Sequence, residues 1–333
     1  VCAEHAPEIP YVPNSPHGGV GGQSPAIGDT HTWGNYYNAT KDPLFVTETC
    51  WIYDSYSRPE TLREAMALDV DTFAERGWPR RWRERTGLTL FTKYPFTHYY
   101  DTANLRGYLR SLEVEQAEAD YQALAYLRFR SPSCNGLVYW PLNKGGPLFG
   151  FGCVDYAGRP LMAYYAMQRV FADVALHVYR DGSDIRVVAS NAGEAAAGRL
   201  QVWHVHADGR MRGTWVLPTT IASGNCVRLF DMNGLYDEIV DRMREWIYAE
   251  FAVDKTTVAS AQLLFCPLAE LAVTPGELTV ATHRLKPGRW LLDVTTTAPT
   301  PLVEMEANAR VMYGDDYFGL IPGIQKHILV TAL

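Results

Sequence analysis

Glu48 closes a short apolar run, Pro43-Leu-Phe-Val-Thr-Glu48, and Thr49-Cys50-Trp51 follow it. A strand buried by its apolar residues would project that carboxylate from its C-terminal end, where barrel enzymes keep their chemistry. A carboxylate so placed can attack carbon as a nucleophile, serve as a general base or pair with a cation. Upstream, His31 and Trp33 stand two residues apart in Gly28-Asp-Thr-His-Thr-Trp33. They offer an imidazole that donates or accepts, beside an apolar wall. Downstream, Trp140 lies in a second apolar run, Gly136-Leu-Val-Tyr-Trp-Pro-Leu142. Other groups say less. His204 and His206 would share a strand face, but no third ligand lies near, so they read as a surface or packed pair and no metal is expected. Gly18-Gly-Val-Gly-Gly22 follows no apolar strand and lacks Gly-Lys-Ser/Thr, so it is no phosphate loop.

These residues need elements to hold them. Residues 1 to about 40, rich in Pro, Gly, Asn, His and Tyr, read as long loops. Ser57-Arg-Pro-Glu60 reads as a capping box opening a helix, with Leu62, Ala65, Met66 and Phe73 at helical spacing. A second helix is expected over about 112–130. Ala117, Tyr121, Leu124 and Leu127 form its apolar stripe, and Glu113, Glu115 and Glu118 would face outward. The strand 136–142, a Gly-rich loop and a third helix over about 160–171 follow. That alternation reads as α/β with parallel strands. From about residue 174 the texture is all-β. Leu176–Ala189 is two alternating runs around Asp181-Gly182, and Leu200–His206 alternates again. Similar runs lie at 226–230, 260–265, 278–283, 290–295 and 328–331. Regular short strands predict sandwiches. The exception is 235–250, where Tyr236, Ile239, Val240, Met243 and Trp246 fit a helical period and predict an inserted helix. Pro267-Leu-Ala-Glu-Leu271 would join one sandwich to a smaller second one.

Composition limits the partners. A length of 333 residues fits two or three domains, and 47% apolar residues can fill their cores. A net charge of −7 argues against nucleic acid as a partner. The basic run Arg76-Gly-Trp-Pro-Arg-Arg-Trp-Arg-Glu-Arg85 reads as a solvated face. No run reaches the roughly 20 apolar residues of a membrane-spanning helix, so no membrane partner is expected. Six cysteines without a CxxC or a regular spacing suggest neither zinc nor a disulfide framework. That slightly favours the cytoplasm while leaving the compartment open.

Six segments, in order, resemble the C-terminal half of a β-mannosidase of glycoside hydrolase family 2. Pro10-Tyr-Val-Pro-Asn-Ser-Pro16 is similar to the family's Pro-Tyr-x-Pro-Ser-Ser-Pro, and Gly28-Asp-Thr-His-Thr-Trp33 to its Gly-Asp-x-His-x-Trp. Phe45-Val-Thr-Glu48 resembles the Phe-x-Ser-Glu strand, and Gly136-Leu-Val-Tyr-Trp-Pro-Leu-Asn143 the last barrel strand, Gly-x-x-x-Trp-Gln-Leu-Asn. Asp155-Tyr-Ala-Gly-Arg-Pro160 with Tyr164-Tyr165 resembles the helix that closes the barrel. Asp316-Tyr-Phe-Gly-Leu-Ile-Pro-Gly323 resembles Asn-Tyr-Phe-Asp-Leu-x-Pro-Gly of the last sandwich.

The resemblance implies an α/β plus all-β chain. The last strands and helices of a (β/α)8 TIM barrel would span 1–173. Two immunoglobulin-like β-sandwiches would follow, 174–268 with the inserted helix and 269–333. It implies a retaining exo-β-glycosidase acting on terminal β-D-mannosyl residues of a β-linked oligosaccharide or glycoside, with no cofactor. Glu48 would be the nucleophile, and His31, Trp33, Trp140, Asn143 and Lys144 would bind substrate. Such enzymes set a second carboxyl group about 5–5.5 Å from the nucleophile. The family carries it in an Asn-Glu pair on an earlier strand, and this sequence contains no Asn-Glu. The chain is therefore expected to be the C-terminal part of a longer enzyme, inactive without its N-terminal remainder. Where the family reads Leu-Asn-Asp-x-Trp-Pro, this chain reads Leu142-Asn-Lys-Gly-Gly-Pro147. Asn143-Lys144 loosely resembles the Asn and Lys with which β-glucuronidases hold a sugar carboxylate, so a rim ammonium is expected there. Another sugar (a β-galactoside, β-glucuronide or β-glucosaminide) and a non-catalytic carbohydrate-binding or structural module are the alternative readings.

Overall fold

The computed structural model describes residues 2–18, 26–33, 43–50, 55–75, 104–130, 132–274 and 276–333. The basic run 76–85 and the stretch 19–22 lie outside them. The chain is mostly β-sheet with few helices.

Five short strands come first: β1 (Thr30–Trp33), β2 (Val46–Cys50), β3 (Ser55–Tyr56), β4 (Leu137–Tyr139) and β5 (Phe149–Gly150). β1, β2 and β4 lie parallel in the order β1-β2-β4, and β3 pairs antiparallel with β5. Helices α1 (Pro59–Met66), α2 (Val70–Glu75), α3 (Leu105–Arg128) and α4 (Met162–Phe171) accompany them.

α3 is 24 residues long, and the Asn104 side chain caps it by accepting from the Gly107 N–H at 2.8 Å. Its first turns bury Leu105, Tyr108, Leu109 and Leu112 against Tyr56, Leu62 and Val70. Its last turns bury Ala123 and Leu127 against Val46 of the parallel sheet. Glu113 does not face outward as expected. Its Oε1 accepts from the Met162 N–H at 3.0 Å, satisfying an orphan donor at the start of α4, and Arg110 donates to Oε2 at 3.0 Å. Burial raises the Glu113 carboxyl, but the Arg110 and Arg58 guanidiniums outweigh it and hold the group below its ordinary value.

α1 begins with Pro59 in its first turn, but Ser57 is not its cap. Arg58 holds that position, and its N–H donates to Asp155 Oδ2 at 3.3 Å; the same oxygen takes the Thr61 hydroxyl. A remote carboxylate replaces the local box. Ala67, left-handed at φ 52°, ends the helix at Met66, so Phe73 belongs to α2.

The next seven strands are β6 (Val174–Asp181), β7 (Asp184–Asn191), β8 (Ala196–His206), β9 (Met211–Ile221), β10 (Asn225–Met232), β11 (Glu245–Val253) and β12 (Thr256–Leu264). They make two antiparallel sheets, β10-β7-β6 and β12-β11-β8-β9, which share a core that includes Val178, Val187, Val202, Ile247 and Phe251. The helix predicted over 235–250 is a correction. Only α5 (Leu235–Glu238) is helical there, and Glu245 onward is strand. β11 lies between β12 and β8 and is covered on both faces. Ile247, Ala249 and Phe251 enter the shared core; Trp246 and Tyr248 enter a second cluster with Trp203 and Leu271. A strand buried on both sides loses its alternation, and a helical period then fits by coincidence.

Six strands remain: β13 (Leu278–Lys286), β14 (Arg289–Thr296), β15 (Thr300–Val303), β16 (Val311–Tyr313), β17 (Phe318–Leu320) and β18 (Lys326–Ala332). They form the sheets β13-β14-β18-β16 and β15-β17 around Val294, Val303, Phe318, Leu320 and Ile328. The turn before β17 locks this part onto the helices. Arg169 of α4 donates to Asp315 Oδ1 at 2.6 Å and to the Asp316 and Tyr317 carbonyls at 3.0 Å each. The Arg110 guanidinium lies 5.0 Å from the Tyr317 ring centroid.

Asp316 sits at the centre of this lock, 1% exposed, with Oδ1 accepting the Met305 and Tyr317 N–H groups at 2.8 Å each. Burial pushes its carboxyl up to about 7, against those two bonds and Arg58. A folded value above the unfolded one, near 3.9, means that the folded state holds the proton longer. Asp316 therefore costs stability as pH rises from about 4 to about 7. Asp316→Asn keeps the acceptor without the charge. Its melting temperature should exceed that of the wild type at pH 8 and converge with it near pH 4. Equal melting curves at pH 8 would show that Asp316 ionises there without cost.

Candidate active site

Parallel pairing sets His31 on β1 opposite Glu48 on β2, and Trp33 opposite Cys50. His31 Nδ1 lies 3.5 Å from Glu48 Oε2, with 13% and 21% of the two side chains exposed. The pair is withdrawn from water yet still reachable. β4 flanks β2 on its other side with Tyr139 opposite Thr49, and the Trp140 N–H donates to the Thr49 carbonyl at 3.0 Å. Trp140 is 48% exposed. Three adjacent parallel strands thus set His31 beside Glu48 and lead into Trp140. Trp33 ends the first of these strands.

The β4 strand is fixed from behind by α3. Tyr139 Oη donates to Asp120 Oδ2 at 2.8 Å, and Gln116 Nε2 donates to the Phe151 carbonyl at 2.9 Å. Both α3 residues are buried, so polar bonds and not apolar contact alone set the register of Trp140.

A second set of polar residues backs His31. Ser15 Oγ lies 3.0 Å from His31 Nε2, 2.9 Å from Asp29 Oδ2 and 2.9 Å from Thr47 Oγ1. Thr47 also donates to Asp29 Oδ2, and the His17 N–H donates to Asp29 Oδ1 at 2.6 Å. Burial pulls the Asp29 carboxyl up, but the Thr47, Ser15 and His17 hydrogen bonds hold it below the ordinary value. Gly28 makes the approach possible. It is left-handed at φ 74°, and a Cβ there would run into the His17 carbonyl. Sequence reasoning assigned no role to Ser15, Asp29 or Thr47. The signal was that each lies inside one of the recognised segments.

The loop after β4 departs from expectation. Asn143 is exposed, with its side-chain amide 3.5 Å from the Lys144 carbonyl. Lys144 is not the rim ammonium foreseen: it is 1% exposed, and Nζ donates to the Gly150 carbonyl at 2.9 Å. The loop folds back, with the Lys144 N–H on the Val154 carbonyl at 2.9 Å. The turned-in ammonium thus bonds the backbone of its own loop. His204 and His206 do share a face of β8, and each meets a different carboxylate, Glu245 and Asp208, at 2.7 Å.

No family model matches the chain. Among curated relatives, β-mannosidase B of Aspergillus niger is 23% identical, over 98% of this chain and 42% of its own length. β-Mannosidase B of Thermothelomyces thermophilus is 26% identical over 54% of this chain and 23% of its own. The chain spans less than half the length of the curated relatives it matches. Among solved structures, the β-D-mannosidase of Dictyoglomus thermophilum superposes with a TM-score of 0.84 at 19% identity, covering 99% of this chain and 41% of that one. The exo-chitosanase of Amycolatopsis orientalis follows at 0.64 and 14%, covering 90% and 41%. Along nearly its whole length, this chain is similar in sequence to curated β-mannosidases, and it shares the fold of the matching part of the Dictyoglomus thermophilum β-D-mannosidase.

Proposed function

We propose that the chain is the C-terminal part of a retaining exo-β-glycosidase of glycoside hydrolase family 2, a β-mannosidase that releases terminal β-D-mannosyl residues. The observation that carries this reading is Glu48 on its strand opposite His31, in a chain similar to β-mannosidases over 98% of its length. Residues 1–173 read as the last strands and helices of a (β/α)8 barrel. Residues 174–268 and 269–333 read as immunoglobulin-like sandwiches. An N-terminal remainder would supply the earlier barrel strands and cover Val138 and Leu142, which are 47% and 58% exposed here.

In that mechanism the Glu48 carboxylate attacks the anomeric carbon while a second carboxylic acid, from the remainder, protonates the leaving oxygen. The glycosidic bond breaks and a glycosyl ester forms on Glu48. Water, deprotonated by the second carboxylate, then displaces Glu48 and restores it. His31, on the neighbouring strand, would touch a sugar hydroxyl, and the half-exposed Trp140 ring would lie beneath the sugar. Trp33 and Asn143 would complete the subsite. No cofactor takes part.

In the full-length protein carrying this chain, Glu48→Ala should lower kcat on an aryl β-mannoside by roughly 1,000-fold or more while the melting temperature holds. Added azide should restore part of the rate and give a glycosyl azide of inverted configuration. Near-normal turnover in the variant would remove Glu48 from the mechanism.

Lys144 is proposed to brace its loop and not to select the sugar. Lys144→Met leaves the Gly150 carbonyl without that donor and should cost about 1–3 kcal/mol in denaturant unfolding. The ratio of rates on neutral and acidic aryl glycosides should stay as in the wild type. A preference for acidic sugars that disappears in the variant would return Lys144 to the binding site.

A further inference from the structure

Ser15, Asp29 and Thr47 form a polar triangle against one nitrogen of His31. Ser15 Oγ has one proton and three polar neighbours: Asp29 Oδ2 at 2.9 Å, Thr47 Oγ1 at 2.9 Å and His31 Nε2 at 3.0 Å. A carboxylate only accepts. Asp29 is held as the carboxylate by the hydrogen bonds it receives, which outweigh its burial. If the Ser15 proton went to His31, Ser15 Oγ and Asp29 Oδ2 would face each other with no proton between them. The Thr47 proton does not fill that gap, because Thr47 already donates to Asp29. The favourable arrangement keeps the Ser15 proton within the Ser15–Asp29–Thr47 triangle. Towards His31, Ser15 then only accepts. The Nε2 atom must carry a hydrogen; in the neutral ring Nδ1, 3.5 Å from Glu48 Oε2, then only accepts, and the proton between these two acceptors would come from a sugar hydroxyl.

We infer that Ser15 and Asp29 are positioning residues for the glycosidase site. They fix the orientation of His31 and the proton on its Nε2, so that Nδ1 accepts from a sugar hydroxyl beside Glu48. The inference rests on the reading of Glu48 as the nucleophile. It also explains why a serine lies in a loop fourteen residues from Asp29 and sixteen from His31 yet meets both. The left-handed Gly28 and the bond from the Asp29 N–H to the His17 carbonyl, 2.9 Å, bring that loop against the start of β1. A neighbour that fixes an imidazole's proton is worth much more than its contact area. Replacing such an acceptor with an amide can leave the geometry intact and still slow catalysis, because the wrong nitrogen is protonated.

The test compares Ser15→Ala, Ser15→Thr and Asp29→Asn with Glu48→Ala in the full-length protein, on an aryl glycoside that the wild type hydrolyses. Ser15→Ala removes the acceptor. Asp29→Asn offers a donor where Ser15 now meets an acceptor, and so frees the Ser15 proton to turn towards Nε2. Each should lower kcat by roughly 10- to 100-fold, the usual size of losses at supporting residues. KM should move less than about threefold and the melting temperature should hold. Ser15 is exposed, so the extra methyl of Ser15→Thr has room and its hydroxyl should restore most of kcat. Wild-type kcat in both Ser15→Ala and Asp29→Asn, with Glu48→Ala inactive, would overturn the inference and leave the nucleophile in place. A loss of kcat that Ser15→Thr does not recover, or that follows a fall in melting temperature, would mark a structural role and overturn it as well. An active Glu48→Ala would instead bring down the reading on which the inference rests.

Discussion

The polar residues buried along α3 are the constraint on which the rest depends. Arg110 and Glu113 bind each other and reach Tyr317 and the first N–H of α4. One turn later Gln116 takes the Phe151 carbonyl, and Asp120 takes the Tyr139 hydroxyl. The helix thus fastens the last sheets, the closing helix and the strand that carries Trp140. Apolar packing holds α3 in place through Leu105, Leu112, Leu124 and Leu127, each 1% exposed or less. Such packing tolerates small slips. A buried carboxylate or amide does not, because moving it by an ångström leaves a desolvated group unpaired.

The elements that the sequence made plain are those marked by turn residues or by a clear apolar stripe. β6 and β7 alternate around Gly182, left-handed at φ 63°, and the turn chemistry alone locates the hairpin. Over 117–127 α3 keeps a clear stripe. Its first turns were missed because Gly107 interrupts them and because the residues they pack on, Tyr56, Leu62 and Val70, are distant in sequence. β11 failed for the opposite reason, since burial on both faces erased its period. The capping box at Ser57 was plausible locally and lost to Asp155, about a hundred residues away. In each case a long-range partner overrode a local signal.

At the candidate site the legible part was the presence of unusual side chains on the strands, although Glu48 lies within β2 and not at its end as expected. A carboxylate after an apolar run, and a His and a Trp two residues apart, show in the sequence as unusual residues in recognisable places. The Ser15–Asp29–Thr47 support does not show in this way, because Ser, Asp and Thr are ordinary loop and strand residues. Only the fold shows that three separate segments converge on one imidazole. Lys144 illustrates the converse. A lysine in a Gly-rich loop looks solvated, and the fold-back onto Val154 that buries it leaves no mark in composition.

That burial bears on the proposed glycosidase reading. An acidic sugar needs a cation facing the ring, and Lys144 was the residue that the sequence offered for it. Its ammonium instead donates to the Gly150 carbonyl. A cation withdrawn behind its own loop is screened from the substrate by the backbone it braces, and turning it outward would strip that carbonyl of the donor. The groups that the fold does present on β1, on β2 and just after β4 are an imidazole, a carboxylate and a half-exposed indole. On the proposed glycosidase reading, a neutral sugar ring would lay its C–H face on the indole and bond its hydroxyls to the imidazole. A uronide would bring its own negative charge close to Glu48, where two like charges repel unless a cation stands between them.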